Sequence, residues 1–394
     1  MRILYISVLA SRSALEEAQK KDKTFSAYAV HKFNRLVVEG LVRNGVSVTA
    51  LSTFYQPNVG LGYFRKKEKQ NGVNYQYIPT VNNQIIRRAW LIVYCFFRVL
   101  FWGVFNKQEK AIICDVLNIS SCIGAVTAAK LIGLRSVGVM TDMPGIGVST
   151  TTSAKEQDKI SFSAKINKSY LGDFSHYVFL TEQMNEAVNV NRRPYIVMEG
   201  LVDADLKCIP LFQKYDQRVI IYAGGLHERY GLKLLVEAFI KANVDNTELW
   251  IYGKGPFAEL LEDYQRLDKR IVYKGVVPNF EVVESEIKAT ILVNPRPTGE
   301  LFTKYSFPSK NMEYMVSGTP VLTTKLPGMP LEYCSHVYLF DKGETVEGYA
   351  DVIKKVLSLP LDELKAKGEE ARKWVLANKN NVVQAEKILS LLNQ

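Results

Sequence analysis

The sequence predicts an α/β protein made of two doubly wound, Rossmann-like domains. Short runs rich in Val, Ile and Leu alternate with longer amphipathic stretches, the pattern of βα units around a mainly parallel sheet, and the whole pattern occurs twice in 394 residues. A chain of this length also exceeds one ordinary core, since single domains run roughly 100–200 residues. The periodicity breaks over residues 199–216, where Gly200, Pro210 and several polar side chains intervene. The predicted domains are therefore 1–202 and 203–375, with a closing helix, 376–394, assigned to pack back on the first.

In the first half, residues 3–8, 46–51, 111–116, 137–140 and 177–180 read as buried strands, and 25–44 as the clearest helix between them. In the second half the strands are 219–223, 249–252, 271–273, 291–294 and 321–323, and the helices 232–242, 256–267 and 309–316. Residues 11–23, polar and placed after the first strand, read as a surface loop that could serve an acceptor. Residues 85–105 stand apart: they are almost wholly apolar, rich in Trp and Phe, fronted by Arg87 and Arg88 and interrupted by Arg98. A bilayer span needs ~20 apolar residues and tolerates a mid-depth Arg poorly. Two readings fit the segment, a helix lying in a membrane interface and a buried helix of the first domain.

Five cysteines, an odd number with no Cys-x-x-Cys pair, argue against a disulfide framework or zinc site and for a reducing compartment. The N-terminus reads as a strand and not as a secretory leader, so a cytoplasmic protein is expected, with the inner membrane face as a second location. The net charge of +10 is spread along the chain without the fingerprint of a nucleic-acid module, and no nucleic-acid partner is expected. Anionic lipid, phosphorylated ligands or a solvated basic surface account for it equally well. The run at 65–69 reads as a solvated basic loop, with attraction to lipid headgroups as the alternative. His31 and the other histidines stand without metal-ligand spacing, and no metal requirement is expected.

The chemistry-bearing residues cluster in the second half. Gly224 and Gly225 follow a strand and precede a helix, so backbone N–H groups there can approach an anion. Gly253 and Gly255 repeat the device at the end of the next strand. Pro308 and Ser309 suit a helix start, leaving the N–H groups of Ser309, Lys310 and Asn311 to face outward, with the Lys310 ammonium beside a diphosphate. Glu313, one turn further, can accept two hydrogen bonds from a vicinal diol such as ribose, and Gly318 ends the helix. In the first half Asp142 follows a strand; it can orient a hydroxyl or take its proton, or simply cap the loop before Pro144.

On these residues the chain resembles the retaining nucleotide-sugar glycosyltransferases of family 4. Glu313, Gly318, Thr319, Pro320 and Val321 match the family's pattern after its phosphate-loop helix start; Gly253, Gly255 and Pro256 match its Gly-x-Gly-Pro turn; Gly224 matches its first loop glycine. The stretch Met198-Glu-Gly-Leu-Val-Asp203 is similar to its inter-domain Asn-Gly-Val-Asp, with Glu199 in place of Asn. The resemblance departs where Tyr305 replaces the first of two paired Glu residues, with Glu300 nearby, and where Gly225 and Tyr230 replace an Arg and a Lys; Arg229 is the natural substitute cation.

The resemblance implies the GT-B fold, two Rossmann-like domains facing across a cleft, the first binding acceptor and the second donor. It implies sugar transfer with retention from a nucleoside-diphosphate sugar to a saccharide or lipid-linked acceptor, without metal or cofactor, as in bacterial polysaccharide assembly. Asp142, Arg229 and Lys310 would then be catalytic, and Gly224, Gly225, Gly253, Gly255, Pro308, Ser309, Asn311 and Glu313 would hold the donor. Two rival functions remain: a non-catalytic nucleotide-sugar-binding partner of another transferase, and a sugar-nucleotide epimerase. A dinucleotide oxidoreductase is disfavoured, because residues 9–13 lack G-x-G-x-x-G.

Overall fold

The computed structural model describes residues 1–21, 28–54, 62–63, 65–143, 170–206 and 213–394; Lys23, Pro144, Cys208 and Pro210 lie outside them. The chain divides into two compact units, Met1–Leu201 with Asn380–Gln394, and Val202–Lys379.

The first unit runs β1 (Arg2–Ser7), α1 (Arg12–Lys21), α2 (Tyr28–Arg43), β2 (Ser47–Ser52), β3 (Gly62–Tyr63), β4 (Glu68–Gln70), β5 (Val73–Tyr77) and β6 (Thr80–Val81). It continues with α3 (Gln84–Phe105), β7 (Lys110–Asp115), α4 (Ile119–Leu131), β8 (Arg135–Met140), β9 (His176–Phe179), α5 (Glu182–Val188) and β10 (Tyr195–Val197). Eight strands form one sheet in the order β10-β9-β8-β7-β1-β2-β5-β4, parallel except for β4 against β5, while β3 and β6 pair separately. Ile3, Leu4, Tyr5 and Ile6 are all buried, as expected of a strand covered on both faces. By contrast β5 alternates, with Val73, Tyr75 and Tyr77 buried and Asn74 and Gln76 between them half-buried.

Two expectations are corrected here. The segment expected as a loop at 11–23 is helix α1 over its described part. Ser11 caps it, its Oγ accepting from the Ala14 N–H at 3.1 Å, and Ala14, Leu15 and Ala18 enter the core at helical spacing. The basic run at 65–69 is not merely solvated. Arg65 pairs with Glu17 and Glu68, and Glu68 also accepts from the Tyr77 and Ser11 hydroxyls.

The second unit runs β11 (Arg218–Ala223), α6 (Leu232–Ala242), β12 (Thr247–Tyr252), α7 (Ala258–Leu267), β13 (Ile271–Gly275), α8 (Asn279–Lys288) and β14 (Ile291–Asn294). After these come α9 (Leu301–Lys304), α10 (Ser309–Ser317), β15 (Val321–Thr323), β16 (Tyr338–Leu339), α11 (Val346–Leu357) and α12 (Leu361–Asn378). Its sheet is wholly parallel in the order β13-β12-β11-β14-β15-β16. On α6, Leu232, Leu235, Val236 and Phe239 are fully buried, each such side chain contributing roughly 1.5–3 kcal/mol of burial. The last helix, α13 (Asn381–Leu392), belongs to the first unit: Ala385, Ile388, Leu391 and Leu392 join its core, and the Asn381 amide donates to Leu36 O on α2 at 3.1 Å.

Both sheets change direction beside their first strand, between β1 and β7 in one unit and between β11 and β14 in the other. In open α/β sheets ligands enter at the carboxyl ends of the strands flanking such a switch. The loops that follow β11 and β14 are therefore where a site is expected in the second unit.

Candidate functional site

After β11 the chain passes through Gly224 and Gly225, makes a short 3-10 turn at Glu228–Tyr230 and enters α6 from Gly231, whose φ of 82° lies in the left-handed region. The turn after β12 lies alongside. The Gly224 N–H donates to Tyr252 O at 3.0 Å, and the Leu226 N–H to Lys254 O at 2.9 Å. A Cβ on Gly253 would sit 1.8 Å from Gly224 O, and one on Gly255 2.3 Å from Leu226 O. These two glycines thus let the neighbouring backbones touch, so that the turns after β11 and β12 form one rigid platform.

The N-terminus of α10 borders that platform. Pro308 and Ser309 begin the helix, and the Lys310 side chain crosses Gly224: a Cβ there would lie 2.9 Å from Lys310 Cε. The expectation of three outward N–H groups is corrected. Ser309 N–H donates to Phe307 O at 2.9 Å and Asn311 N–H to Pro308 O at 2.8 Å, because the first turn is tight, so these two are spent within the turn. The Asn311 side chain is buried, accepting from Asn294 Nδ2 at 2.8 Å and donating to Thr323 Oγ1 at 3.2 Å; it pins α10 to β14 and β15. Glu313 is exposed one turn further along.

Tyr314, on the same helix, was not singled out by the sequence. Its buried hydroxyl accepts from Ala223 N–H at 2.9 Å and lies 3.3 Å from Ala223 O, to which it donates. Burial, foremost, holds its phenol well above the usual range. The strand end just before Gly224 is thereby tied to the helix that carries Lys310.

Arg229 lies in the 3-10 turn with its guanidinium 5.4 Å from the ring centres of both Tyr230 and Phe302. Arg296, two residues beyond β14, stands on the same rings at 5.2 and 5.8 Å. Tyr230 in turn packs against the Gly225 backbone, 3.2 Å from where a Cβ would be, and the ring of His227 is 5.3 Å from it. Pro295 O presses on Gly231, 2.0 Å from where its Cβ would be. Lys310 thus lies over Gly224, while Arg229 and Arg296 share the Tyr230 ring that packs on Gly225. Among the described residues neither Arg296 nor Lys310 has an acidic partner. Arg296 was missed because its place depends on β14 lying beside β11; a basic residue just past a strand end is the only signal of it.

Tyr305 closes α9, with the Lys304 ammonium 5.7 Å from its ring, and Glu300 precedes that helix, its carbonyl accepting from Thr303. In the first unit Asp142 is exposed beyond β8 and accepts from Met143 N–H at 3.0 Å. His31 is buried edge-on to Phe54, and burial pushes its imidazole down to about 4. At that unit's own switch point, Asp115 ends β7 inside a buried network: it accepts from Asn34, Asn118 and the Leu117 N–H, and Asn34 accepts from Tyr5. Burial raises the Asp115 carboxyl and these hydrogen bonds partly offset it.

The comparisons fit this geometry. Residues 217–358 match the family model described as Glycosyl transferases group 1. The fold is GT-B. Sucrose-phosphate synthase from Thermosynechococcus elongatus superposes with a TM-score of 0.68 at 14% identity, covering 100% of this chain and 99% of that one. Anabaena HepE in complex with UDP gives 0.60 at 12%, covering 100% of both chains. A Rickettsia africae glycosyltransferase gives 0.62 at 14%, covering 99% of this chain and 97% of its own. No curated protein matches the chain.

Proposed function

We propose that this chain is a glycosyltransferase that takes a sugar from a nucleoside-diphosphate donor and places it on a saccharide or lipid-linked acceptor in the cytoplasm, with retention and without metal. The observation that carries the reading is Lys310 lying over Gly224, with Arg296 and Arg229 on the Tyr230 ring that packs against Gly225, within the segment that matches the glycosyl transferase model. A diphosphate bound there meets fixed cations. Charge growing on it as the bond to the anomeric carbon breaks is stabilised in place. The acceptor oxygen bonds the same face of that carbon, and its proton passes to the departing diphosphate. Asp142 orients the acceptor hydroxyl, and Glu313 accepts the ribose diol. UDP, seen bound to HepE, is the first nucleotide to test.

The test is calorimetric binding of UDP, GDP, dTDP and ADP, free and sugar-linked, with NAD as control. One nucleoside diphosphate should bind, and Glu313→Gln should weaken it about tenfold through the lost charge-assisted bonds. No binding by any of them would sink the donor site. Tyr305 in place of a carboxylate favours a second reading, a non-catalytic donor-binding partner. Slow hydrolysis of the donor without acceptor would decide for the enzyme.

A further inference from the structure

We infer that α3 seats the first unit on an anionic lipid surface, lying in the plane of the headgroups. The helix is 22 residues long, the length of a membrane span, yet one face is committed to protein. Cys95, Val99, Trp102 and Gly103 are buried, and a Cβ on Gly124 of α4 would lie 2.1 Å from Ile92 O, so the two helix backbones touch. Arg98 donates to Gln76 of β5 at 3.0 Å and Trp90 Nε1 to Pro79 O at 2.6 Å, fixing the helix along its length. A helix anchored in this way cannot cross a bilayer.

The opposite face carries a continuous apolar stripe. Ile86, Trp90, Val93, Phe97, Phe101 and Val104 recur at spacings of three and four, and each is between 40 and 59% exposed. Phe97, Phe101 and Phe105 stack in succession, with ring centres 6.1 and 6.3 Å apart. Water surrounds this stripe at a cost that an interfacial position removes.

Charge selects the occupant. Between residues 84 and 108 there is no Asp or Glu, whereas Arg88 and Lys107, towards the two ends of the helix, are exposed cations. Aromatic rings and cations beside an apolar stripe suit the boundary of an anionic bilayer, where each nearby cation adds to binding. The inference rests on the transferase reading only for its purpose, bringing the chain to an acceptor borne by lipid.

The test is flotation of the full-length protein with vesicles of phosphatidylcholine alone or mixed with phosphatidylglycerol. Wild type should float with the anionic vesicles at least ~10-fold better than with neutral ones, less so at high salt, with a blue shift of its tryptophan emission that Trp90→Phe diminishes. The Phe97→Ser/Phe101→Ser double variant, altered only at exposed positions, should lose flotation while binding nucleotide as wild type does. Val93→Gln, a milder change, should show the same direction should the double variant not fold. No flotation of wild type, or equal flotation of the variants, overturns the inference. So does a dimer of wild type that ignores vesicles and that Phe97→Ser/Phe101→Ser splits, since a second copy would then be the occupant. Flotation without any nucleotide binding would instead remove the donor reading and leave this one standing.

Discussion

The two sheets share a parallel architecture and a switch point, but they finish that point in opposite ways. In the first unit the carboxyl end of β7 is filled: Tyr5, Asn34, Asp115 and Asn118 spend their hydrogen bonds on one another. In the second the corresponding edge is lined by glycines and left with Arg296 and Lys310, which have no acidic partner among the described residues. The same fold can thus close one crevice with a self-satisfied network and leave cations without acidic partners beside the other. A buried polar group that is already paired has little to offer a ligand, whereas partly buried, unpaired cations gain from one.

The contrast can be broken by exchanging roles. Lys310→Ala should lower turnover about 100-fold with little change in thermal stability, the size expected when one fixed electrostatic partner of a leaving group is removed. A variant with unchanged kcat would show that the second crevice is as inert as the first. Asn34→Ala should do the reverse, costing roughly 2 kcal/mol in denaturant unfolding by leaving the buried Tyr5 hydroxyl without its acceptor and Asp115 with two donors in place of three, with nucleotide affinity intact. Arg296→Gln should weaken diphosphate binding about tenfold, measured by calorimetry. Equal affinity would assign Arg296 to packing against Tyr230 and Phe302.

Acid should separate the units more gently. His31 is held neutral by burial, down to about 4, against an ordinary value near 6.5, so the unfolded chain binds the proton first and the first unit loses stability as pH falls through that window. Burial alone would raise Glu68, but bonds from Tyr77, Ser11, Ser13 and Arg65 outweigh it and bring the carboxyl from 4.5 to about 2, so a further loss follows over that range. Hydrogen exchange at pH 5 should show β5 and α2 opening ahead of β11. Uniform opening would remove the difference.

Much of the second unit was legible because its local signals agree with its fold. The helix at Leu232–Ala242 lies where the spacing of Leu232, Leu235, Val236 and Phe239 puts it. The strand Val73–Tyr77 escaped because it alternates at period two among continuous apolar runs, and α1 escaped because its buried stripe of Ala14, Leu15 and Ala18 is narrow on a polar helix. In the site the glycines and Lys310 could be read from spacing. Arg296 and Tyr314 could not, since each acts through a strand that only the topology brings alongside.

Tyr314 carries one more consequence. Past the end of the β14 ladder, Ala223 has no strand on that side, and a phenol stands in for it, taking its N–H and donating to its carbonyl. The lifetime of that amide proton is therefore set by how firmly α10 is docked and not by fraying of the sheet. Deuterium uptake at Ala223 becomes a clock for the helix that presents Lys310, readable with the site empty.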